Sequence, residues 1–383
     1  MRSLLRKRSG KPRQGTVPGD CAGVIEIDLG ALARNYRLFK NKADPACCAA
    51  AVKANAYGLG VDRVAPRLWD EGCTDFFVAT LDEGLELRGL LPKASIYVLN
   101  GFLEGQEPEF KKGNLLPVLN DLGQVEFWRR YCKDREKALP CALHFDTGMN
   151  RLGLSAADAE RLHERPDLLS GITVRSVMSH LACASDPKHP LSDRQRTAFE
   201  AIRERYPDVP ASLANSAGVM LGHAYHYDMV RVGIGLYGGN PLDGAAGDVE
   251  PVVGLRARIL QERVVEAGET VGYNATFTAE SQMRLITISA GYADGVSTRH
   301  SNQGFVAVEG QRANVVGRVS MDLITVDVTE VPAEKTKPGA FVDLIGSGVS
   351  LDETAARAGL ISYEILTSLS PRFERVYNDD GKA

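Results

Sequence analysis

Residues 51–60 read AVKANAYGLG and mark the point where a short apolar run gives way to a glycine-containing loop. The run from Cys47 to Val52 is small and apolar enough for a buried strand, and the residues after Lys53 are typical of a turn. Lys53 therefore stands at the end of a predicted strand. Its amine has an ordinary pKa of about 10.4, and it forms an imine with an aldehyde readily only where burial or a nearby cation lowers that pKa. A solvated lysine at a strand edge is the plain alternative for the same stretch.

The composition is that of an ordinary globular protein, long enough for two domains. The chain has 383 residues, of which 44% are hydrophobic and 25% are charged, and its formal net charge is -4. This charge gives no sign of nucleic-acid binding, and no apolar run reaches the length that spans a membrane. Seven cysteines without a Cys-x-x-Cys pair favour a reducing cytoplasm over a disulfide framework or a zinc site. Residues 1–21 are basic and predict a disordered extension, with a targeting arm as the alternative.

Eight short apolar runs predict the strands of a barrel. They alternate with amphipathic stretches over about 190 residues, which is the arrangement of a (β/α)8 barrel. The amphipathic stretches predicted as helices include 61–71, 82–90, 122–131, 156–164 and 194–206. We expect the barrel domain to cover residues 22–243. A doubly wound open sheet is the alternative, but the glycine-rich first turn of that fold is absent. The predicted strands are 48–53, 76–79, 95–99, 116–119, 141–145, 174–180, 211–214 and 229–237, and an apolar strand at 24–27 and a helix at 29–40 precede them.

Residues 244–383 predict a second, mostly β domain. Valine- and isoleucine-rich runs alternate in part and are separated by turn residues at short spacing. The predicted strands are 255–265, 285–289, 305–308, 314–316, 323–328 and 341–345, and short helices are predicted at 351–359 and 363–368.

Residues suited to chemistry follow the predicted barrel strands. The reactive end of such a barrel is the carboxyl end of its strands, and the loops after strands seven and eight usually bind phosphate. Here those loops supply the Ser216 hydroxyl and the glycines of Gly233-Ile234-Gly235, whose backbone N–H groups can approach an anion. A simpler explanation of these glycines is that larger side chains would be too crowded at a seam of the barrel. Lys53 is predicted to lie at the same end of the barrel. Together with this lysine, the loops indicate an aldehyde that carries a phosphate, such as pyridoxal phosphate.

Nine motifs run in order along the chain from about residue 22: AVKANAYGLG, HFDTGMNRLG, SHLACAS, ANSAG, RVGIGLYGG, VGYNATF, GYADG, RVSMD and ISYEILT. Together they resemble the motif set of the alanine racemase family. The resemblance implies a (β/α)8 barrel followed by a C-terminal β domain, and a head-to-tail homodimer with shared active sites. It implies interconversion of L- and D-alanine on pyridoxal phosphate in the cytoplasm, supplying D-alanine for peptidoglycan. The resemblance implies no metal site and no binding to a membrane or a nucleic acid.

The resemblance implies two bases and a set of binding residues. Lys53 would hold the cofactor covalently and act as one base, and Tyr273 would be the second base, reaching in from the partner subunit. Bases on opposite faces of the α-carbon suffice for racemisation, because one proton leaves as another returns. The other implied cofactor contacts are Tyr57, Arg151, His180, Asn215, Ser216, Arg231, Gly233, Ile234 and Tyr363, and the implied substrate contacts are Arg151 and Met321.

The resemblance also implies distinct tasks within that set. His180 would link Tyr273 to Arg231, whose guanidinium would contact the pyridine nitrogen and keep the ring a weak electron sink. Arg151 would reach the cofactor's phenolic oxygen and the substrate carboxylate, and Met321 of the partner subunit would hold that carboxylate through its backbone N–H. The implied phosphate contacts are Tyr57, Ser216, Gly233, Ile234 and Tyr363, and Tyr292 and Asp294 resemble residues of the substrate passage.

One position departs from the family pattern. The family often carries a carbamylated lysine two residues before the Asp-Thr-Gly, where it orients the arginine, and this chain has His144 there. Histidine cannot take that modification. Arg151 must therefore be held by an anion, by a nearby carboxylate or by His144 itself, and we predict an anion beside Arg151.

Three other functions are compatible with parts of the sequence. An amino-acid decarboxylase of the same architecture would share Lys53 but lack the tyrosine of VGYNATF. A single-barrel pyridoxal-phosphate carrier would end near residue 240, and a Schiff-base aldolase would be colourless. The sequence leaves the substrate breadth open, because apolar pockets discriminate poorly between alanine and serine.

Overall fold

The structure, a computed structural model, describes residues 21–244 and 247–379. The chain divides into two compact units. The first is Leu32–Glu250, and the second combines the described residues before Leu32 with those after Glu250. The predicted extension, residues 1–21, lies outside the described residues apart from Cys21. Within the described ranges, none of the helices is both long enough and apolar enough to cross a membrane.

The first unit is built on a ring of eight parallel strands. Seven strands that follow one another in the chain lie side by side, and the eighth returns to pair with the first of them. A parallel bridge between Asn215 and Arg231 brings the two remaining edges together. The predicted (β/α)8 barrel is confirmed. The strands, numbered after β1 (Gly23–Asp28), are β2 (Cys47–Ala51), β3 (Asp75–Val78), β4 (Ser95–Val98), β5 (Leu116–Leu119), β6 (Leu139–His144), β7 (Ile172–Met178), β8 (Ala211–Ser212) and β9 (Met229–Val232).

Helices connect these strands, and polar side chains fix where several of them begin. The side chains of Thr80, Asp121 and Ser155 each accept a backbone N–H in the first turn of the helix that follows. The amphipathic stretches predicted as helices all form helices within a few residues. Three short helices are not predicted, because five or six residues cannot reveal a helical period. The helices are α1 (Leu29–Ala43), α2 (Lys53–Tyr57), α3 (Val61–Asp70), α4 (Leu81–Leu90), α5 (Glu107–Lys112), α6 (Leu122–Lys133), α7 (Ala156–Glu164), α8 (Leu191–Arg203) and α9 (Ser216–Met220).

Seven of the eight barrel strands end one to five residues before their predicted runs do, and the physical reason is clearest for β7 and β9. β7 ends at Met178, because the Ser179 carbonyl accepts a hydrogen bond from the Arg231 guanidinium, and His180 lies beyond the strand. β9 ends at Val232, because the next backbone N–H, that of Gly233, donates to a serine side chain instead of a strand. Both departures leave polar groups at the carboxyl end of the barrel.

The second unit is mostly β structure, as predicted for the C-terminal part of the chain. Its main path runs β15-β14-β17-β10-β1-β18, with β13 joined to β10 and β16 to β13, and β11 and β12 form a separate pair. A cluster of buried residues lies at Val265, Val271, Ala279, Leu285 and Val316. The elements are β10 (Val253–Val265), β11 (Thr270–Val271), β12 (Phe277–Thr278), β13 (Met283–Ile288), β14 (Phe305–Val308), β15 (Gln311–Asn314), β16 (Ile324–Asp327), β17 (Phe341–Ile345), α10 (Leu351–Arg357), α11 (Ser362–Ser368) and β18 (Glu374–Asn378).

The first strand of the chain belongs to this second unit, although the predicted barrel domain begins at residue 22. β1 pairs antiparallel with β10 and parallel with β18. Glu26 on this strand forms an ion pair with Arg256 on β10. The partners of β1 lie more than 200 residues away in the sequence, as the 230-residue separation of this pair illustrates. A local apolar pattern next to a helix cannot reveal such pairing, so the strand resembles the start of a barrel repeat.

Candidate active site

A left-handed backbone turn begins at Lys53, just after β2. The φ angles of Ala54, Asn55, Ala56 and Tyr57 lie between 52° and 55°, and the ψ angles of the first three lie between 49° and 54°. This is one turn of left-handed helix, closed by hydrogen bonds from Ala56 N to Val52 O and from Gly58 N to Ala54 O. A left-handed conformation costs about 1–2 kcal/mol for each residue with a Cβ. Such stored strain is typical of functional sites.

The Lys53 amine is partly buried and less basic than an ordinary lysine. Burial lowers its pKa first, and the positive charge of Arg151 lowers it further, while the Glu83 carboxylate acts in the opposite direction. A lowered pKa raises the share of neutral amine, which is the nucleophilic form. The solvated strand-edge lysine does not match this position.

Tyr57 is locked against the loop that follows β9. Its ring stacks on that of Tyr237 with centroids 4.5 Å apart, and the Tyr237 hydroxyl donates to the Ala51 carbonyl at 2.8 Å. A Cβ added at Gly233 would stand 2.4 Å from the Tyr57 hydroxyl oxygen. Only glycine therefore lets this tyrosine lie against the loop.

Ser216 ties the loops after β8 and β9 together. Its Oγ accepts the N–H groups of Gly233 at 2.9 Å and Gly235 at 3.3 Å, and the side chain is 2% exposed. Ile234 between the two glycines is buried as well. Asn215 caps α9, because its Oδ1 accepts the Gly218 N–H at 2.9 Å. The Ser216 hydroxyl hydrogen remains available to donate to a further group.

Arg231 is a buried cation held by neutral groups. Its guanidinium donates to Ser212 Oγ at 2.6 Å and to the Ser179 carbonyl at 2.5 Å, and it lies 3.2 Å from His180 Nδ1. Burial lowers its pKa to about 10, so it stays charged at neutral pH. The same burial, followed by the charge of Arg231, holds the pKa of His180 well below its usual range. His180 is therefore a neutral ring beside a permanent cation.

His144 at the end of β6 is buried and has a fixed tautomer. Asn120 donates through Nδ2 to the carbonyls of Leu99 at 3.0 Å and Val118 at 2.8 Å, so its Oδ1 must be an acceptor. His144 Nδ1 lies 2.8 Å from that oxygen and carries the proton. Burial, then the charge of Arg231, lowers the pKa of His144 to about 4. The ring is neutral at pH 7, with Nε2 as an acceptor.

Arg151 follows a tight turn after β6. Asp146 Oδ1 accepts the N–H groups of Gly148, Met149 and Asn150 at 2.9, 2.9 and 3.1 Å, which shapes the turn. The Arg151 side chain is exposed, and none of the described carboxylates pairs with it. A neighbouring carboxylate is thus not what holds this arginine in the described part of the chain. The predicted anion stays a prediction.

The structure places the candidate residues in both units. Lys53, Tyr57, Arg151, His180, Asn215, Ser216, Arg231, Gly233 and Ile234 all lie in the first unit, in or directly after the carboxyl ends of barrel strands. Tyr273, Met321 and Tyr363 lie in the second unit, with exposed fractions of 71%, 53% and 41%. Among the described residues, the Met321 N–H donates no hydrogen bond, while its carbonyl accepts from Ala293 at 3.0 Å.

Two residues of the barrel mouth are absent from the sequence-based set. Glu83 accepts the Ala54 N–H at 2.7 Å, and Asn120 fixes His144. Each carries a signal in the sequence. Glu83 stands three residues after Thr80 in a capping-box pattern that follows β3, and Asn120 directly follows the apolar run of β5. Their partners lie 29 and 24 residues away, which the local pattern does not reveal.

Comparison with known proteins gives matches along nearly the whole chain. The family described as "Alanine racemase, N-terminal domain" matches residues 27–241, and "Alanine racemase, C-terminal domain" matches residues 252–377. A protein named alanine racemase from Rhodospirillum rubrum is 46% identical over 356 residues, 92% of this chain and 95% of that protein. One from Mesorhizobium japonicum, named "Alanine racemase, catabolic", is 45% identical over 92% of this chain and 93% of its own length.

A solved structure matches the fold over the same extent. It is the crystal structure of alanine racemase from Bartonella henselae with covalently bound pyridoxal phosphate. The match has a TM-score of 0.90 and 37% sequence identity, and it covers 93% of this chain and 99% of that one. With both family domains matched in order and relatives above 40% identity, the chain belongs to the alanine racemase family.

Proposed function

We propose that this protein interconverts L-alanine and D-alanine, with pyridoxal phosphate held on Lys53. The observation that carries the proposal is the Lys53 amine, partly buried and lowered in pKa at the end of β2, in a chain of this family. An amine in that condition is suited to a covalent bond with an aldehyde.

The residues of the barrel mouth fit the cofactor. The Ser216 hydroxyl can donate to a phosphate because its oxygen already accepts two N–H groups, and Gly233 leaves space beside the Tyr57 hydroxyl. Arg231 would lie against the pyridine nitrogen, since it is a buried cation without a carboxylate partner among its hydrogen bonds. When bound, pyridoxal phosphate draws electrons from the α-carbon of the attached amino acid and so makes its Cα–H acidic.

Two residues would move the proton. Lys53, with its lowered pKa, would take a proton from one face of the α-carbon or return one to it. Tyr273 of the partner subunit would serve the opposite face. Arg151 and the backbone N–H of Met321 of the partner subunit would hold the substrate carboxylate and so keep the Cα–H between the two bases. The exposure of Tyr273 and Met321 supports a role outside their own chain.

We propose a homodimer with shared sites, and mixing two inactive variants tests it. Lys53→Ala and Tyr273→Phe should each be inactive alone. A heterodimer of the two has one site with both residues intact, so random mixing should restore roughly one quarter of the original activity. If both residues of a site came from one chain, mixing would restore nothing.

The reaction itself is tested by incubation with L-alanine in deuterated water. Circular dichroism at a wavelength where alanine absorbs and α-deuterium content are followed together. We expect the optical signal to decay to zero while deuterium enters at the α-carbon. Release of carbon dioxide would identify a decarboxylase instead, and a stable optical signal would reject the proposal.

We further propose that the protein works in the cytoplasm and supplies D-alanine for peptidoglycan. All seven cysteines lie in the described residues, and none of them forms a disulfide, which suits a reducing compartment. The reaction runs in both directions, and one relative is named catabolic. A strain without this gene should need added D-alanine for growth. Normal growth without D-alanine, combined with failure to grow on it as a carbon source, would assign the catabolic role.

A further inference from the structure

One carboxylate joins the left-handed turn after Lys53 to the neighbouring strand. Glu83, near the start of α4, accepts the Ala54 N–H through Oε1 at 2.7 Å. Its other oxygen accepts the N–H groups of Ala79 at 2.7 Å and Thr80 at 3.3 Å, directly after β3. The carboxylate therefore links the ends of two adjacent barrel strands, and hydrogen bonds to an ionised acceptor are stronger than neutral ones.

The strained backbone of this turn requires a stabilising hydrogen bond from outside the turn. Ala54, Ala56 and Tyr57 have φ angles of 53°, 52° and 55°, which residues with a Cβ rarely adopt. Within the turn, the N–H groups of Ala56 and Gly58 find backbone acceptors, whereas that of Ala54 is accepted by Glu83. Ala54 is exposed, so water competes for its N–H when the carboxylate is removed.

We propose that Glu83 is a positioning residue for Lys53, which holds the strained turn through the Ala54 N–H and so fixes the amine at the barrel mouth. This inference rests on the proposed function for its catalytic consequence, but the hold on the turn is independent of it. Among the described residues, the Glu83 carboxylate makes no hydrogen bond to the Lys53 amine. Its effect passes through two covalent bonds of backbone next to Lys53.

The charge of the Glu83 carboxylate also affects the Lys53 amine. Its negative field favours the protonated amine and opposes the lowering of the Lys53 pKa by burial and by Arg151. Glu83→Gln keeps the length and the capping ability of the side chain but removes its charge and one of its two accepting oxygens. The remaining oxygen serves the two N–H groups of Ala79 and Thr80, so the Ala54 N–H loses its acceptor. Amide exchange at Ala54 therefore reports the lost hydrogen bond, whereas the kinetics report the lost hydrogen bond and the lost charge together.

The first measurement is amide hydrogen exchange, read by mass spectrometry of fragments covering residues 53–58. In E83Q we expect the Ala54 amide to exchange roughly tenfold faster or more. Glu86→Gln is the matched control, because Glu86 is exposed on the same helix and, among the described residues, its side chain makes no hydrogen bond or ion pair. Equal exchange in E83Q and E86Q would overturn the proposal, whatever the activity of either variant.

The second measurement determines kcat and KM for alanine separately, in E83Q and in the unaltered protein. A misplaced amine slows the reaction step more than substrate binding, so kcat of E83Q should fall roughly tenfold to a hundredfold while KM changes little. E86Q should keep the original kcat. A rise in KM at unchanged kcat would overturn the positioning role.

The third measurement is rescue. Ala54→Gly removes a Cβ from a left-handed position at an exposed site, so it relaxes the strain and loses no packing. The double variant E83Q/A54G should recover most of the kcat that E83Q loses. Absence of recovery would overturn the strain argument. If the unaltered protein has no racemase activity, the proposed function fails, while the exchange measurement still decides whether Glu83 holds the turn.

Discussion

Adding one methyl group to Gly233 should weaken cofactor binding through its contact with Tyr57. The new Cβ would stand 2.4 Å from the Tyr57 hydroxyl oxygen and 3.2 Å from its Cζ, while the next neighbour, Ala51 Cβ, is 3.7 Å away. Tyr57 cannot swing aside easily, because it is 5% exposed and stacked on Tyr237. Overpacking of this kind costs about 1–3 kcal/mol when Tyr57 keeps its position. If the bound phosphate requires the Tyr57 hydroxyl in that position, cofactor binding bears this cost, which corresponds to a roughly 5- to 150-fold loss of affinity.

A double-mutant cycle isolates that contact. Tyr57→Phe removes the closest atom, after which the nearest remaining atom is Cζ at 3.2 Å, a distance that a small shift relieves. Gly233→Ala should therefore cost less in the Tyr57→Phe background, by roughly 1 kcal/mol or more. The assay is titration of the cofactor-free protein with pyridoxal phosphate, for the four members of the cycle. Gly89→Ala is the control, because nothing lies within 4 Å of the added Cβ.

Additive effects of the two substitutions would contradict this explanation. If Gly233→Ala weakens binding by the same factor with tyrosine or phenylalanine at position 57, the crowding does not pass through the hydroxyl. The fit of the phosphate loop would then need another explanation.

Three further substitutions test other parts of the site. Tyr273→Phe should abolish racemisation and leave the cofactor bound, as read from the visible absorption of the protein, and near-normal turnover would place the second base elsewhere. Burial holds the pKa of His144 at about 4, below its ordinary 6.5, so the neutral ring stabilises the fold fully above pH 6.5. That contribution, about 3 kcal/mol, is lost as the pH falls from 6.5 towards 4. The melting temperature of His144→Gln should therefore fall less between pH 7 and pH 5 than that of the unaltered protein, and parallel falls would contradict the assignment. Gly291→Ala would place a Cβ 2.2 Å from the Met321 carbonyl oxygen, so KM for alanine should rise at least several-fold while affinity for pyridoxal phosphate is unchanged. An unchanged KM would remove Met321 from the substrate site.

The sequence predicts the barrel well because its signals are local. Each barrel strand is a short apolar run, and several predicted helices begin at a capping side chain, so both can be found without knowing their partners. The strand β1 shows the limit of this reasoning. Its apolar residues identify a strand correctly, but its place in the second unit depends on β10 and β18, which lie at the far end of the sequence.

The candidate site likewise has residues that the sequence predicts and a backbone turn that it does not. Lys53, Ser216 and Gly233 can be proposed because residues after barrel strands meet at one end of the barrel. The left-handed turn cannot be predicted from two alanines and a tyrosine, since these residues disfavour it. It exists because distant groups hold it, and Glu83 is one of them.

The central claim is the covalent bond between the Lys53 amine and pyridoxal phosphate. Borohydride reduction of the cofactor-loaded protein, followed by peptide mass spectrometry, tests it directly. We expect a stable phosphopyridoxyl group on Lys53 alone, absent from a Lys53→Arg variant treated in the same way. A label on another lysine, or no label on a protein that racemises alanine, would contradict it.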